Sequence, residues 1–145
     1  NAVSGTIGGG SLTFATNEAA SANAVIEYTL SGSARNLSGA TGLSLDFLTF
    51  DAGTGFSSTP LKVELVSGAT TLSRTVNVSE KFSPFTQAVN FGSVGSFNLS
   101  QVDKIRITVN GGANPQFAVD FALDAVKVKP IPAPPALLLA GIGLV

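Results

Sequence analysis

The feature of this sequence that most limits its fold is an alternation of apolar and polar residues at every second position. The alternation runs from Val3 to Val128, and no stretch in between has the period of an amphipathic helix longer than one or two turns. Residues that favour turns interrupt it roughly every 8–12 positions, the spacing of short antiparallel strands. The sequence therefore predicts an all-β fold, a two-sheet antiparallel β-sandwich of the jelly-roll type.

Two segments in the middle of the chain make this prediction specific. Residues 43–50 carry apolar side chains on both faces, with Phe47 on one face and Leu48 and Phe50 on the other. A strand that is apolar on both faces is typical of the centre of a sheet, so we expect a central strand there. Residues 61–78 alternate cleanly on both sides of a short Ser-Gly-Ala-Thr turn and predict a hairpin.

The last strand is predicted over residues 117–128 and contains a change of phase. Its first half places large apolar side chains on the core face, whereas Val126 and Val128 fall on the opposite parity. One extra residue near Asp124 would correct the phase, so we expect a β-bulge at that point. The residues predicted to face the core are Phe117, Val119, Phe121 and Leu123.

Composition excludes several classes of function. The net charge is −1, from eight basic and nine acidic residues, so the footprint of a nucleic-acid-binding protein is absent. Cys and His are also absent, which excludes disulfides, thiolate chemistry and imidazole ligands. Small polar residues replace charges, and the chain begins at Asn1 as if a secretory signal had been removed. We expect an extracellular or cell-surface protein.

The C-terminal segment differs from everything before it, and it divides the chain into a sandwich domain (1–129) and a tail (130–145). The first six residues of the tail contain four prolines, which predict a stiff extended spacer. Residues 136–145 have no charged or hydrogen-bonding side chain. As a helix they would span about 15 Å, half of a bilayer core of about 30 Å, so the tail as written is not a membrane anchor.

An apolar tail of this kind needs a binding partner, and we expect that partner to be another copy of the chain. As an extended strand it is apolar on both faces, which suits insertion into a neighbouring subunit, and such head-to-tail contacts form filaments unless a ring closes. The sequence thus predicts a non-enzymatic structural protein that assembles into a filament, surface layer or matrix. The predicted interface residues are Pro132, Pro134, Pro135, Leu137, Leu138, Leu139, Ile142, Leu144 and Val145.

Residues 130–144 also resemble the sorting signal of PEP-CTERM proteins, which bacteria that build an extracellular matrix export. That signal has a short proline-rich motif, an apolar span and a basic cluster; here the acidic residue between the prolines and the basic cluster are missing. The resemblance implies an exported protein whose tail is associated with the membrane before it is processed.

The body resembles the galactose-binding-like jelly roll of extracellular carbohydrate-binding modules. The residues that carry this resemblance are 36–38 with 42–50, then 97–107, then 117–128. It implies an alternative function, a carbohydrate-binding surface module that binds extracellular polysaccharide and whose tail is only a sorting signal. Sugar sites commonly use exposed Trp or Tyr. This chain has no Trp, its single Tyr (Tyr28) is predicted to be core, and most of its ten Phe fall on core positions.

Catalytic and metal sites are hard to build from these residues. Without His no ordinary serine triad forms, and nothing marks a Ser–Lys dyad. Asp120 and Asp124 lie on one face of the last strand and are interpreted first as solvent-facing acids. The alternative is that Asp124 provides one oxygen ligand of a structural Ca²⁺, as the resemblance to related jelly rolls suggests, although such a site needs about six to eight oxygens. Three Asn-x-Ser sequons leave glycosylation open; they begin at Asn36, Asn77 and Asn98.

Deletion of residues 130–145 tests the assembly prediction. We expect the truncated chain to remain folded and monomeric, because the strands that form the core all precede the deletion, whereas the full chain should form larger particles. Light scattering after size-exclusion chromatography and negative-stain microscopy measure the difference. The same assemblies in the truncated chain would show that the tail does not join the subunits.

Overall fold

The computed structural model describes residues 3–8, 11–17 and 20–130. In these residues the chain forms nine strands and two short 3-10 helices, at Gly32–Arg35 and Leu99–Gln101. The strands are β1 (Val3–Gly8), β2 (Ser11–Thr16), β3 (Ala24–Thr29), β4 (Ala40–Asp51), β5 (Ser58–Ser67), β6 (Thr70–Ser79), β7 (Phe85–Asn90), β8 (Lys104–Val109) and β9 (Asp120–Pro130).

The strands form the two-sheet antiparallel β-sandwich that the sequence predicts. One sheet has the order β1-β2-β9-β4-β7 and the other β3-β8-β5-β6, and every pairing is antiparallel. From β3 onwards the chain changes sheet at almost every connection, and only the β5–β6 hairpin stays within one sheet. This alternation brings strands that are distant in the sequence face to face around one core.

The core lies between the sheets, and a cluster of phenylalanine rings occupies its centre. The ring of Phe121 lies 5.4 Å from Phe14 and 5.9 Å from both Phe47 and Phe50, measured between ring centroids. Edge-to-face and offset stacked pairs at such distances add to the free energy gained by burying the rings. The alternation of β5 and β8 points their aliphatic residues into the same space, namely Leu61, Val63, Leu65, Ile105, Ile107 and Val109.

Strand β4 is central, as predicted, since β9 pairs along one side of it and β7 along the other. The bulge expected near Asp124 is present, because Ala125 pairs with Asp46 and Leu123 pairs with Phe47. Residue 48 of β4 is skipped in the same way one step later, which restores the register. The expected position of Phe50 was therefore wrong: the bulge at Leu48 returns Phe50 to the core, where it is fully buried, and leaves Leu48 exposed.

The predicted hairpin is formed by β5 and β6, which pair from Ser58↔Ser79 to Ser67↔Thr70. Gly68 in its turn has a φ of 57°, a left-handed conformation that glycine adopts without strain. At the same end of the sandwich the carboxylate of Asp103 accepts hydrogen bonds from the Gly68 N–H (2.7 Å) and from Arg35 Nη2 (2.6 Å). These bonds hold the pKa of Asp103 below its usual value. Because the folded pKa is lowered, this stabilisation exists above the ordinary pKa of Asp and is lost as the pH falls through the folded value.

The described part of the chain ends at Pro130, the last residue of β9, which pairs with Ala40. All nine residues predicted as the subunit interface lie in 131–145, outside the described residues, so that prediction stays a prediction. In the part of the chain that the structure describes, no helix is long and apolar enough to cross a membrane.

A matched pair of substitutions tests the core. Replacement of buried Phe121 by Ala should lower the free energy of unfolding by about 3–5 kcal/mol, because it removes a ring and leaves a cavity. Replacement of Phe82, which is 68% exposed, should change it by less than about 0.5 kcal/mol. Chemical denaturation measures both values. Equal losses would contradict the placement of these two rings.

Candidate binding site at one end of the sandwich

Four connections meet at one end of the sandwich, which we call the loop end. They are the β2–β3 connection (described at residues 17 and 20–23), the β4–β5 loop (52–57), the β6–β7 loop (80–84) and the β8–β9 loop (110–119). The ends of the antiparallel strands bring all four to the same side. Loops held by a rigid sandwich are the usual place for binding residues.

Three phenylalanines are exposed at the loop end, one in each of three loops. Phe56 is 46% exposed, Phe82 is 68% exposed and Phe117 is 50% exposed. The other seven phenylalanines are buried or packed against the core. The expected position of Phe117 in the core was wrong, because β9 begins only at Asp120 and Ala118 has a φ of 59°, which breaks the alternation before the strand starts.

Backbone contacts fix the order of these loops. The Thr54 N–H donates to the Phe117 carbonyl at 3.2 Å, and the Glu80 N–H donates to the Ser57 carbonyl at 2.8 Å. The β4–β5 loop therefore lies between the other two. A Cβ added to Gly53, which has a φ of 91°, would collide with the Phe117 carbonyl oxygen. Glycine at this position allows the two loops to approach closely.

A buried asparagine connects the β2–β3 connection to the β8–β9 loop. Asn110 is only 1% exposed and has a φ of 62°. Its Nδ2 donates to the carbonyls of Ala22 (2.8 Å) and Gln116 (2.9 Å), and its Oδ1 accepts from the Gln116 N–H (2.8 Å). The side chain thus makes three hydrogen bonds and holds the β2–β3 connection against the β8–β9 loop. Asparagine tolerates the left-handed conformation better than most residues.

Gln116 extends this network to the start of β5, directly after the β4–β5 loop. Its Nε2 donates to the Ser58 carbonyl at 3.0 Å, and its Oε1 accepts from the Thr59 hydroxyl at 2.8 Å. Thr59 is completely buried and lies within 3.3 Å of the Ala52 carbonyl. Buried polar groups that hydrogen-bond to one another fix a single arrangement. These hydrogen bonds therefore hold the loops that carry Phe56 and Phe117 in place on their buried side.

A polar cleft of about 410 Å³ opens beside Phe117. Its two carboxylates, Asp51 and Asp120, are cross-strand partners on β4 and β9. Asp120 Oδ1 accepts from the Thr16 N–H at 2.6 Å, and Asp51 Oδ1 accepts from the Gly53 N–H at 2.9 Å. The cleft therefore presents oriented hydrogen-bond acceptors. The residues that line it are Thr16, Asn17, Asp51, Gly53, Thr54, Ala118 and Asp120.

The structure separates the two acids that the sequence placed on one face. Asp120 lines the loop-end cleft, whereas Asp124 lies at the bulge of β9 and lines a different depression with Asp46 and Lys127. Lys127 forms an ion pair with Asp46 at 2.8 Å, and the hydrogen bond to Asp46 raises the pKa of Lys127, with a smaller electrostatic contribution from Asp124.

An ammonium group beside Asp124 does not favour a cation there. Within the described residues no group of three or more carboxylates is placed to hold a metal ion. A Ca²⁺ ligand at Asp124 therefore stays a prediction.

The remaining predicted residues lie away from the loop end. Tyr28 was expected in the core but is 39% exposed, because β3 is the edge strand of its sheet. The part of the ring that is buried raises the pKa of its hydroxyl. The asparagines of the three sequons, Asn36, Asn77 and Asn98, are all exposed, and their glycosylation stays open.

No protein-family model matches this chain, and no curated protein matches it. Among solved structures, the fold is similar to part of an agarase, AgWH50C, with a TM-score of 0.59 and 13% identity over 90% of this chain. It is also similar to part of PfGH50B, with a TM-score of 0.59 and 15% identity over 92% of this chain. The chain spans 22% of the length of each of these two proteins. At such identities the likeness shows the fold alone.

A third solved chain, TmCBM61 in complex with β-1,4-galactotriose, aligns with a TM-score of 0.43 and 15% identity. The alignment covers 83% of this chain and 70% of that chain. A likeness at this level carries no argument. The jelly-roll architecture expected for the body is established by the sheets themselves.

Substitution of Asn110 tests the network beneath the loops. Asn110→Ala should lower the free energy of unfolding by about 1–3 kcal/mol, because buried groups of Ala22 and Gln116 lose their partners. Asn110→Gly keeps the left-handed backbone but not the hydrogen bonds. It therefore separates the contribution of the hydrogen bonds from that of the backbone conformation. Thermal and chemical denaturation measure both variants. An unchanged stability of Asn110→Ala would contradict the structural role given to this side chain.

Proposed function

We propose that this chain is a non-catalytic binding module that attaches to polysaccharide through its loop end. The observation that carries the proposal is the position of the three exposed phenylalanines, Phe56, Phe82 and Phe117, on three loops of the same end. Exposed apolar side chains that gather at one place mark a binding surface, whereas scattered ones need no explanation.

The chemistry of the loop end suits a sugar better than a wholly apolar ligand. A sugar ring has apolar C–H faces that stack on an aromatic ring, and hydroxyl groups at its edge that need hydrogen-bond partners. The loop end has both kinds of group, phenyl rings for stacking and the acceptors of Asp51 and Asp120 for hydroxyls. Ligand sites commonly combine aromatic surface with a few well-placed polar groups.

The cleft also suggests the charge of the ligand. Among the residues that the structure describes, its lining includes two carboxylates and no basic side chain. Anionic polymers would be repelled by these charges, so uncharged polysaccharides are the first ligands to test. Agarose is included among them because part of a chain named an agarase has a similar fold.

We place the module outside the cell, at the surface or in the matrix. Only 12% of its residues are charged, its polar positions are filled by small residues, and its tail resembles an export signal. Assembly through residues 131–145 is a separate proposal, which the truncated chain tests, and polysaccharide binding by the loop end does not depend on it.

Retention on polysaccharide tests the proposed function. We expect the chain to be retarded in native gels that contain agarose or another neutral polysaccharide from a panel of galactans, glucans, mannans and xylans. Phe117→Ala and Phe56→Ala should each weaken binding by about 2- to 10-fold, the equivalent of one aromatic contact. Isothermal titration calorimetry with soluble fragments gives the affinities.

Tyr28→Ala is the matched control, because it removes an exposed aromatic ring from a strand away from the loop end. Its affinity should equal that of the unchanged chain. Failure of every polysaccharide to retard the chain would refute the proposed function. Retention that is insensitive to both phenylalanines would show that the sugar binds elsewhere.

A further inference from the structure

The three loops that carry exposed phenylalanines lie in one row across the loop end, and the polar cleft borders two of them. The β4–β5 loop, which carries Phe56, is in the middle: Thr54 contacts Phe117 and Ser57 contacts Glu80. Phe117 therefore lies on one side of Phe56. Phe82, which follows Glu80 by two residues, lies on the other side.

The polar cleft borders the loops of both Phe117 and Phe56, because Gly53 and Thr54 line it as well. Ala118 follows Phe117 directly and lines the cleft, together with Asp120 at the start of β9. Thr16, the last residue of β2, forms the far wall of the cleft. The order along the loop end is thus the loop of Phe82, then the loops of Phe56 and Phe117, which both border the cleft, and finally Thr16 of β2.

The order of the strands gives the length of the row. Phe82 belongs to the loop that enters β7, and the cleft reaches the end of β2. These strands are separated by β4 and β9 in the same sheet. Neighbouring strands are about 4.8 Å apart, so the row spans three intervals, about 14 Å. This length exceeds one sugar ring and suits a short stretch of a polymer.

We infer that the loop end binds an extended stretch of polysaccharide, about three or more sugar residues long, rather than a single sugar or a chain end. This inference rests on the proposed function. The cleft, with Asp51 and Asp120, binds one residue by hydrogen bonds. Phe117 and Phe56 stack on the residues that follow, and Phe82 stacks on the last residue of the bound stretch.

Phe82 is the residue that distinguishes a row from a single pocket. It is the most exposed of the three rings and lies farthest from the cleft in the order of the loops. A ligand that occupied only the cleft and Phe117 would not reach it. Its contribution should therefore appear only with oligosaccharides long enough to extend across the β4–β5 loop.

A series of oligosaccharides of increasing length tests the inference. The series, from monosaccharide to hexasaccharide, is prepared from the neutral polysaccharide that retards the chain most strongly. We expect the affinity to rise with length, by about 3- to 10-fold for each ring that is newly covered, and then to become constant. Isothermal titration calorimetry measures each member.

Two variants locate the two ends of the row. Phe82→Ala should remove the gain of the longest oligosaccharides and leave the affinity for the disaccharide unchanged, whereas Phe82→Tyr should keep the gain. Asp120→Asn should weaken the binding of oligosaccharides of every length, because it replaces one of the two carboxylates that line the cleft. Circular dichroism spectra confirm that each variant is folded.

The outcomes separate this inference from the function on which it rests. The inference of an extended binding site is wrong if a disaccharide binds as tightly as the hexasaccharide, or if Phe82→Ala weakens the binding of all oligosaccharides equally. In both cases the polysaccharide-binding function stands. If no saccharide binds, the proposed function itself fails.

Discussion

The antiparallel pair of β4 and β9 holds the molecule together from one end to the other. It begins at Ala40↔Pro130 and ends at Asp51↔Asp120. Along this pair the rings of Phe47, Phe50 and Phe121 meet in the core. Between Gly42 and Asp51 of β4 each strand skips one residue, Asp124 in β9 and Leu48 in β4, and because the two irregularities compensate, the register beyond them is the same as before.

The exact placement of the loop-end acids follows from that compensation. A bulge in one strand alone would move the following residues of that strand to the opposite face of the sheet. With both present, Phe50 and Phe121 remain in the core, and Asp51 faces Asp120 at the edge of the cleft. The candidate site and the core are therefore fixed by the same feature of the backbone.

Much of the sandwich could be predicted from the sequence, because alternation in a strand is a local property. The hairpin of β5 and β6, the central position of β4 and the bulge at Asp124 all follow from side-chain parity. Phe50 was misplaced because the change of phase after Phe47 was interpreted as a strand that is apolar on both faces, and not as a second bulge at Leu48. Tyr28 was misplaced because parity shows which face a residue is on, and not whether its strand lies at an edge.

The candidate site was harder to predict, because its geometry comes from hydrogen bonds between distant parts of the chain. Asn110 and Ala22 are 88 positions apart, and nothing near either residue indicates their contact. Phe117 was assigned to the core by parity, although parity has no meaning in a loop. The sequence did contain a signal that the three rings lie in loops, namely a turn-forming Gly or Pro within two residues of each. Gly55 directly precedes Phe56, Pro84 lies two residues after Phe82, and Pro115 lies two residues before Phe117.

The direction of β9 gives the molecule two functionally different poles. The strand starts beside the cleft at Asp120 and finishes at Pro130, on the side of the Gly68 turn and Asp103. Anything that tethers the protein through the residues after Pro130 therefore holds it by the pole opposite Phe56, Phe82 and Phe117. A tethered molecule would present its aromatic face outward, away from its support, where long polymers can reach it.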